Sequence, residues 1–240
     1  MPDLLDFTGK TVVVTGGSTG IGNGIARAFR EHGAKLIITA SRERSAYDSD
    51  MDGMDYHQVD IANDDAMRAF AAQVPSLHVL VNSVGTVVYK RKEFQMPTFR
   101  HVVDVNLNGV MHACVLFHDK LLATKGNIVN IASVASFRPT RGNPAYSASK
   151  GGLALLTKSL ADAWGPEGIR VNGLAPGFVA TKITAVSYDN PEINEGIINT
   201  TPLRRWGTPE EMGQVALFLA SDMASFMTGH TIPVDGGQSL

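Results

Sequence analysis

Short apolar runs rich in β-branched residues alternate along this chain with stretches whose apolar positions recur every three to four residues. The runs at 11–14, 36–39, 56–61, 77–82, 127–132, 169–174 and 231–235 predict seven strands. Most are apolar throughout rather than alternating, the pattern of strands buried on both faces of a parallel sheet. Between them, Ile21, Ile25, Ala28 and Phe29 predict a helix stopped by Gly33. Met67, Phe70, Ala71 and Val74 predict a second, broken at Pro75, and a long helical pattern runs from Pro97 to about Leu122. A further helix opens near Tyr146 and continues through Leu153, Leu156 and Leu160 to Gly165 and Pro166, and a last one starts at Pro209. Strand and helix alternate without a linker or low-complexity break, which predicts an α/β fold: one doubly wound, three-layer domain over residues 1–240.

Two stretches resist the pattern. Residues 43–56 are too short and irregular for a full helix, and the segment around Pro191 and Gly196, within 178–207, reads as irregular. The first contains D-S-D-M-D-G from Asp48, the opening of a calcium-binding loop. Such a loop needs a bidentate Glu at its twelfth position, which here is Val59, so no metal site is expected.

Composition narrows the class. The chain has 240 residues, with 21 basic against 23 acidic ones, so no nucleic-acid or membrane-surface footprint shows. A single cysteine, Cys114, rules out an internal disulfide and fits a reducing compartment. No run approaches the ~18 apolar residues of a membrane span, and the N-terminus has no basic, apolar leader. A soluble, cytoplasmic protein is expected.

Candidate chemistry sits where predicted strands end. After the first strand, Gly16, Gly20 and Gly22 form a turn that opens a helix, where backbone N–H groups and the helix dipole suit a pyrophosphate. The second strand ends in Ser41 and Arg42 without an acidic residue. An acid there would bind the ribose hydroxyls of NAD, whereas arginine suits the 2′-phosphate of NADP. The fifth strand ends at Ser133, and Tyr146 with Lys150 opens the helix that follows. Residues at i and i+4 share a helix face. An ammonium beside a phenol is expected to lower its pKa from about 10 and poise it for general acid/base work.

Together these features resemble the short-chain dehydrogenase/reductase family, in its shorter single-domain form, over essentially the whole chain. The resemblance rests on T-G-G-S-T-G-I-G from Thr15, Asp60, N-S-V-G from Asn82, Asn106, Ser133, Y-S-A-S-K from Tyr146, P-G-F-V-A-T from Pro176 and the closing V-D-G-G. It implies a catalytic tetrad of Asn106, Ser133, Tyr146 and Lys150. Tyr146 would exchange a proton with the substrate oxygen and Ser133 would hydrogen-bond that oxygen. Lys150 would hold the nicotinamide ribose, and Asn106 would position a water. It also implies cofactor contacts from Gly16, Ser18, Thr19, Gly20, Ile21 and Gly22, from Asp60 and Ile61 at the adenine, and from Asn82 and Gly85. Pro176, Val179 and Thr181 would lie along the nicotinamide end, and Ser41 and Arg42 at the 2′-phosphate. A homotetramer follows from the same resemblance.

Two departures bear on the cofactor: Val84 replaces the family's usual alanine, and Thr19 stands where NADP enzymes often carry a basic residue. NADP is expected, with NAD open as the alternative. The substrate is a small carbonyl or alcohol compound, bound by segment 178–207 and the loops after Asn82 and Ser133. The closing portion resembles 3-oxoacyl-carrier-protein reductases and sugar or hydroxy-acid dehydrogenases alike. Lys90, Arg91, Lys92, Arg138 and Arg141 would favour an anionic substrate if their loops converge. A non-catalytic, cofactor-binding sensor is the competing class.

Overall fold

The computed structural model describes residues 4–240. Seven parallel strands form one sheet in the order β3-β2-β1-β4-β5-β6-β7. They are β1 (Thr11–Thr15), β2 (Lys35–Ala40), β3 (Asp55–Gln58), β4 (Val79–Asn82), β5 (Asn127–Ile131), β6 (Arg170–Pro176) and β7 (Thr231–Val234). The strand order reverses between β1 and β4, and loops leaving the carboxyl ends on either side of that point frame a crevice.

The apolar runs are continuous because both faces of each strand are covered. On β1, Val12 and Val14 enter one core cluster and Val13 the other; β4 splits Val79 and Val81 from Leu80 in the same way. One face packs against α1 (Gly20–Glu31) and α8 (Pro209–Ala220). The other meets α2 (Asp64–Gln73), α4 (Gly109–Thr124) and α5 (Pro144–Trp164). Period-2 side-chain alternation sends neighbouring residues of a strand into opposite layers.

Three expectations change. The third strand is shorter than the apolar run: after Gln58 only Val59 N still pairs, with Ala40 O at 2.8 Å, before Asp60 turns the chain by accepting from Ala62 N. The long helix is interrupted. α3 (Met96–Val103) passes through a π-helical turn, Asp104–Asn108, into α4. The segment expected to be irregular holds α6 (Ala185–Tyr188) and α7 (Pro191–Thr200), the latter capped by Asn190, whose side chain accepts from Ile193 N. Gly196 and scattered isoleucines hid its period, while the N-cap and Pro191 at its first turn marked its start.

Candidate active site

β5 delivers Ser133 to the crevice, and α5 returns Tyr146 and Lys150 beside it. Buried amides hold these elements in register: Asn82 Nδ2 donates to Asn130 Oδ1 at 2.9 Å, and Asn130 Nδ2 donates to Thr157 Oγ1 at 3.0 Å. That chain ties β4 to β5 and β5 to the middle of α5 through fully buried groups. Lys150 is also buried, and its Nζ donates to Ile131 O at 2.7 Å while lying 5.9 Å from the centroid of the Tyr146 ring. Burial pulls the Lys150 pKa down to about 8.

Tyr146 departs from the sequence expectation. Its phenol is pushed up rather than down: burial is the largest cause, a hydrogen bond with Ser133 works against it, and the charges of Tyr89 and Glu93 add to the rise. With the lysine ammonium committed to the Ile131 carbonyl, desolvation dominates the phenol.

Asn106 lies in the π-helical turn and is fully buried. Its Oδ1 accepts from Thr86 N at 2.7 Å, and its Nδ2 donates to Thr86 O and to Ser149 Oγ. The amide therefore clamps the loop after β4 to α5. Gly85 faces the same group: a Cβ there would sit 3.4 Å from Lys150 Nζ and 3.8 Å from Asn106 Oδ1. All four tetrad candidates thus meet at one end of the sheet.

The glycine turn forms the other half of the crevice. Gly16 has φ +72° and Gly20 φ +54°, and a Cβ on Gly22 would fall 2.1 Å from Gly16 O. Only glycine permits this approach. Thr19, at the N-cap of α1, makes no side-chain cap, and the first turn of α1 carries no acid. Its amides are thus unclaimed by side chains, as a site for a diphosphate requires. Thr181 folds over this turn, with its Cγ2 3.2 Å from where a Gly20 Cβ would stand. Pro176 ends β6, and Val179, bridged to Gly207, lies between it and Thr181 along the chain.

Ser41 and Arg42 are exposed at the end of β2. The Arg42 guanidinium lies over the Tyr47 ring, 4.8 Å from its centroid, and meets no carboxylate within ion-pair distance among the described residues. Tyr47 was not visible to sequence reasoning. Burial raises its pKa, but hydrogen bonds with Arg42 and Ser18 outweigh that and bring it down, so three polar groups surround one spot. Ser18 itself is buried, whereas Thr19, Gly20 and Ile21 are half-buried. Asp60 is exposed beside buried Ile61, whose carbonyl lies 2.7 Å from where a Gly109 Cβ would be. The Asn82 side chain points into the core, its Nδ2 donating to Asn130 Oδ1 at 2.9 Å and to Cys114 Sγ at 3.4 Å.

One other residue had no readable signal. Glu93, in a basic loop, is fully buried, and its carboxylate accepts from Val88 N, Asn143 Nδ2 and Tyr146 N. An acid among Lys90, Arg91 and Lys92 reads as solvated in sequence.

Comparison with known proteins agrees with this geometry. Residues 15–239 match the family model described as Enoyl-(Acyl carrier protein) reductase. The chain is 36% identical over 245 residues to 2-dehydro-3-deoxy-D-gluconate 5-dehydrogenase of Bacillus subtilis (strain 168), covering 98% of this chain and 96% of the relative. It is 35% identical over 246 residues to the 3-oxoacyl-[acyl-carrier-protein] reductase FabG of Chlamydia muridarum (strain MoPn / Nigg), covering 96% and 97%. The solved Pseudomonas aeruginosa RhlG/NADP active-site complex superposes with a TM-score of 0.90 at 30% identity, covering all of both chains. The chain belongs to the short-chain dehydrogenase/reductase family, as an NAD(P)-dependent oxidoreductase of CH–OH and C=O groups.

Proposed function

We propose that this protein moves a hydride between NADP(H) and the ketone or secondary alcohol of a small hydroxylated or keto compound, with Tyr146 exchanging the proton. The observation that carries the reading is the meeting of Ser133, Tyr146 and Lys150 at one sheet end, opposite a glycine turn whose helix amides no side chain claims. The nicotinamide, when bound, supplies the hydride acceptor or donor. Ser133 and Tyr146 hydrogen-bond the substrate oxygen, and Tyr146 gives or takes its proton. A phenol held neutral suits the reduction direction, in which the oxygen receives the proton. Lys150, beside Gly85, is placed for the nicotinamide ribose, and Asn106 fixes the loop on which Gly85 stands. Arg42, Ser41 and Tyr47 form the 2′-phosphate end. Asp60 and Ile61 flank the adenine.

Segment 178–207, with α6 and α7, closes the substrate side. Lys90, Arg91, Lys92 and Arg141 are exposed and unpaired with carboxylates among the described residues, which supports an anionic substrate. Of the relatives named above, one is a dehydrogenase of a keto sugar acid and the other a reductase of an acyl-carrier-protein derivative. Exposed Val115 and Leu122 on α4 and Leu155 on α5 support a homotetramer paired through these helices, which sedimentation as a monomer would overturn. No described helix is long and apolar enough to cross a membrane. A cytoplasmic location fits the lone buried Cys114, and cell fractionation tests it.

The deciding experiment is a panel of keto acids, sugar acids and neutral ketones, followed by nicotinamide absorbance with NADPH and NADH separately. Turnover faster with NADPH is expected. Tight cofactor binding without turnover of any ketone or secondary alcohol would leave the sensor reading standing instead.

A further inference from the structure

We propose that Glu93 is a positioning residue for this reaction: its carboxylate ties the loop after β4 to the first turn of α5, fixing where Tyr146 stands and what charge it faces. The inference rests on the reading that Tyr146 exchanges the substrate proton.

The geometry is specific. Glu93 is fully buried, and no Lys, Arg or His comes within ion-pair distance of it among the described residues. Three donors converge on its two oxygens: Val88 N at 2.9 Å and Asn143 Nδ2 at 3.2 Å on Oε1, and Tyr146 N at 2.9 Å on Oε2. Only an acceptor-only group satisfies three donors, which is the pattern of a carboxylate. The group sits at the N-terminus of α5, where the helix dipole favours negative charge. Asn143, at the N-cap, does not cap the helix; its side chain donates to Val88 O and Glu93 instead. Pro144 at the first turn has no N–H to offer. The cap of the catalytic helix therefore arrives from a distant part of the chain.

The route by which it arrives is strained. Lys90 and Arg91 both adopt left-handed backbone, with φ of 61° and 57°. Consecutive non-glycine residues hold that conformation only where their surroundings insist on it. Here the curl drops Glu93 into the interior between α3 and α5 while its basic neighbours stay in solvent.

The groups facing Tyr146 are Lys150 on its own helix, Ser133 after β5, and Tyr89 and Glu93 on the loop after β4. Lys90, Arg91, Lys92, Arg138 and Arg141 on the adjoining loops are exposed. Glu93 is thus the one buried carboxylate near the phenol, and it contributes to the upward push on Tyr146 and on Tyr89.

The test compares pH profiles of kcat/KM for wild type, Glu93→Gln and Asn143→Asp, with Tyr146→Phe as control and thermal unfolding and cofactor affinity measured alongside. Glu93→Gln keeps the shape but turns an NH₂ toward at least one donor, so kcat is expected to fall about 10- to 100-fold through misplacement of Tyr146. Cofactor affinity should not change. Loss of the negative charge moves the Tyr146 limb to lower pH, and Asn143→Asp, which adds a second carboxyl beside Glu93, moves it to higher pH. A merely structural brace would lower the unfolding temperature and leave the limb in place, and that result overturns the proposal. If Glu93→Gln does not fold, Asn143→Asp decides by the same limb. Near-normal turnover by Tyr146→Phe would sink the underlying reading, whatever the other variants do.

Discussion

The two walls of the crevice are built on opposite terms. On the β5–α5 wall the polar side chains around the tetrad candidates are buried on fixed partners: Lys150 on Ile131 O, Asn106 on Thr86 and Ser149, Asn130 between Asn82 and Thr157. On the facing wall, Ser41 and Arg42 are exposed, and the segment over the glycine turn is tied to the β2–β3 loop by an exposed pair, Lys182 to Asp48 at 2.5 Å. Proton transfer demands atoms held to a fraction of an ångström, and burial on fixed hydrogen-bond partners supplies that. Binding of an entering ligand demands donors still free to pair, and exposure supplies those. On the proposed function, the difference separates chemistry from recognition within one cleft.

The sharpest way to break that contrast is Tyr146→Phe. The ring and its packing remain while the proton donor goes, so turnover should drop by a factor of about 10² or more. The unfolding temperature should stay near that of wild type. Turnover close to normal would place the chemistry elsewhere.

The buried wall also predicts a pH signature of stability. Folding depresses the Lys150 pKa from 10.5 to about 8, so between those values the unfolded chain binds more protons than the folded one. Stability attributable to this lysine therefore rises as pH climbs through 8 toward 10, and the cost of burying the ammonium is fully present below 8. Lys150→Met should remove that rise, a difference on the order of 2–3 kcal/mol. Denaturant titrations of both proteins at pH 7 and 10 measure it; parallel pH dependences would show that the folded lysine titrates normally.

For the exposed wall, Arg42→Ala should raise the KM for NADPH about 10- to 100-fold, as loss of a charge-assisted contact worth ~1.5–3 kcal/mol does. The KM for NADH should change little. Equal changes with both cofactors would mean that Arg42 does not read the 2′-phosphate.

The smallest effect expected concerns substrate charge. With an anionic substrate, kcat/KM should decline as the Debye length shrinks from ~10 Å at 0.1 M to ~3 Å at 1 M ionic strength. Arg138 and Arg141 differ here, since Arg138 Nη1 already donates to Gln238 O at 2.8 Å. Arg141→Ala should consequently flatten the salt slope more than Arg138→Ala does. A slope no steeper than that of the cofactor alone would remove the steering idea.

The amino-acid sequence by itself determined the layered fold and the helix face that Tyr146 and Lys150 share. Strands buried on both faces must be apolar throughout, and residues four apart on a helix must share a face, so Val12 to Val14 and the pair Tyr146 and Lys150 were legible locally. Glycines that no Cβ could replace, such as Gly22, were legible for the same reason. What only the tertiary structure decided is which charges stand together. The direction of the Tyr146 shift depends on desolvation and on where the Lys150 ammonium is spent, and both are set by contacts across the sheet. Glu93 lies fifty-three residues from Tyr146 and sits among basic neighbours, so nothing in its local sequence distinguishes it from a solvated acid. Periodicity encodes which face is buried; it carries no information about which distant donors a buried carboxylate will meet.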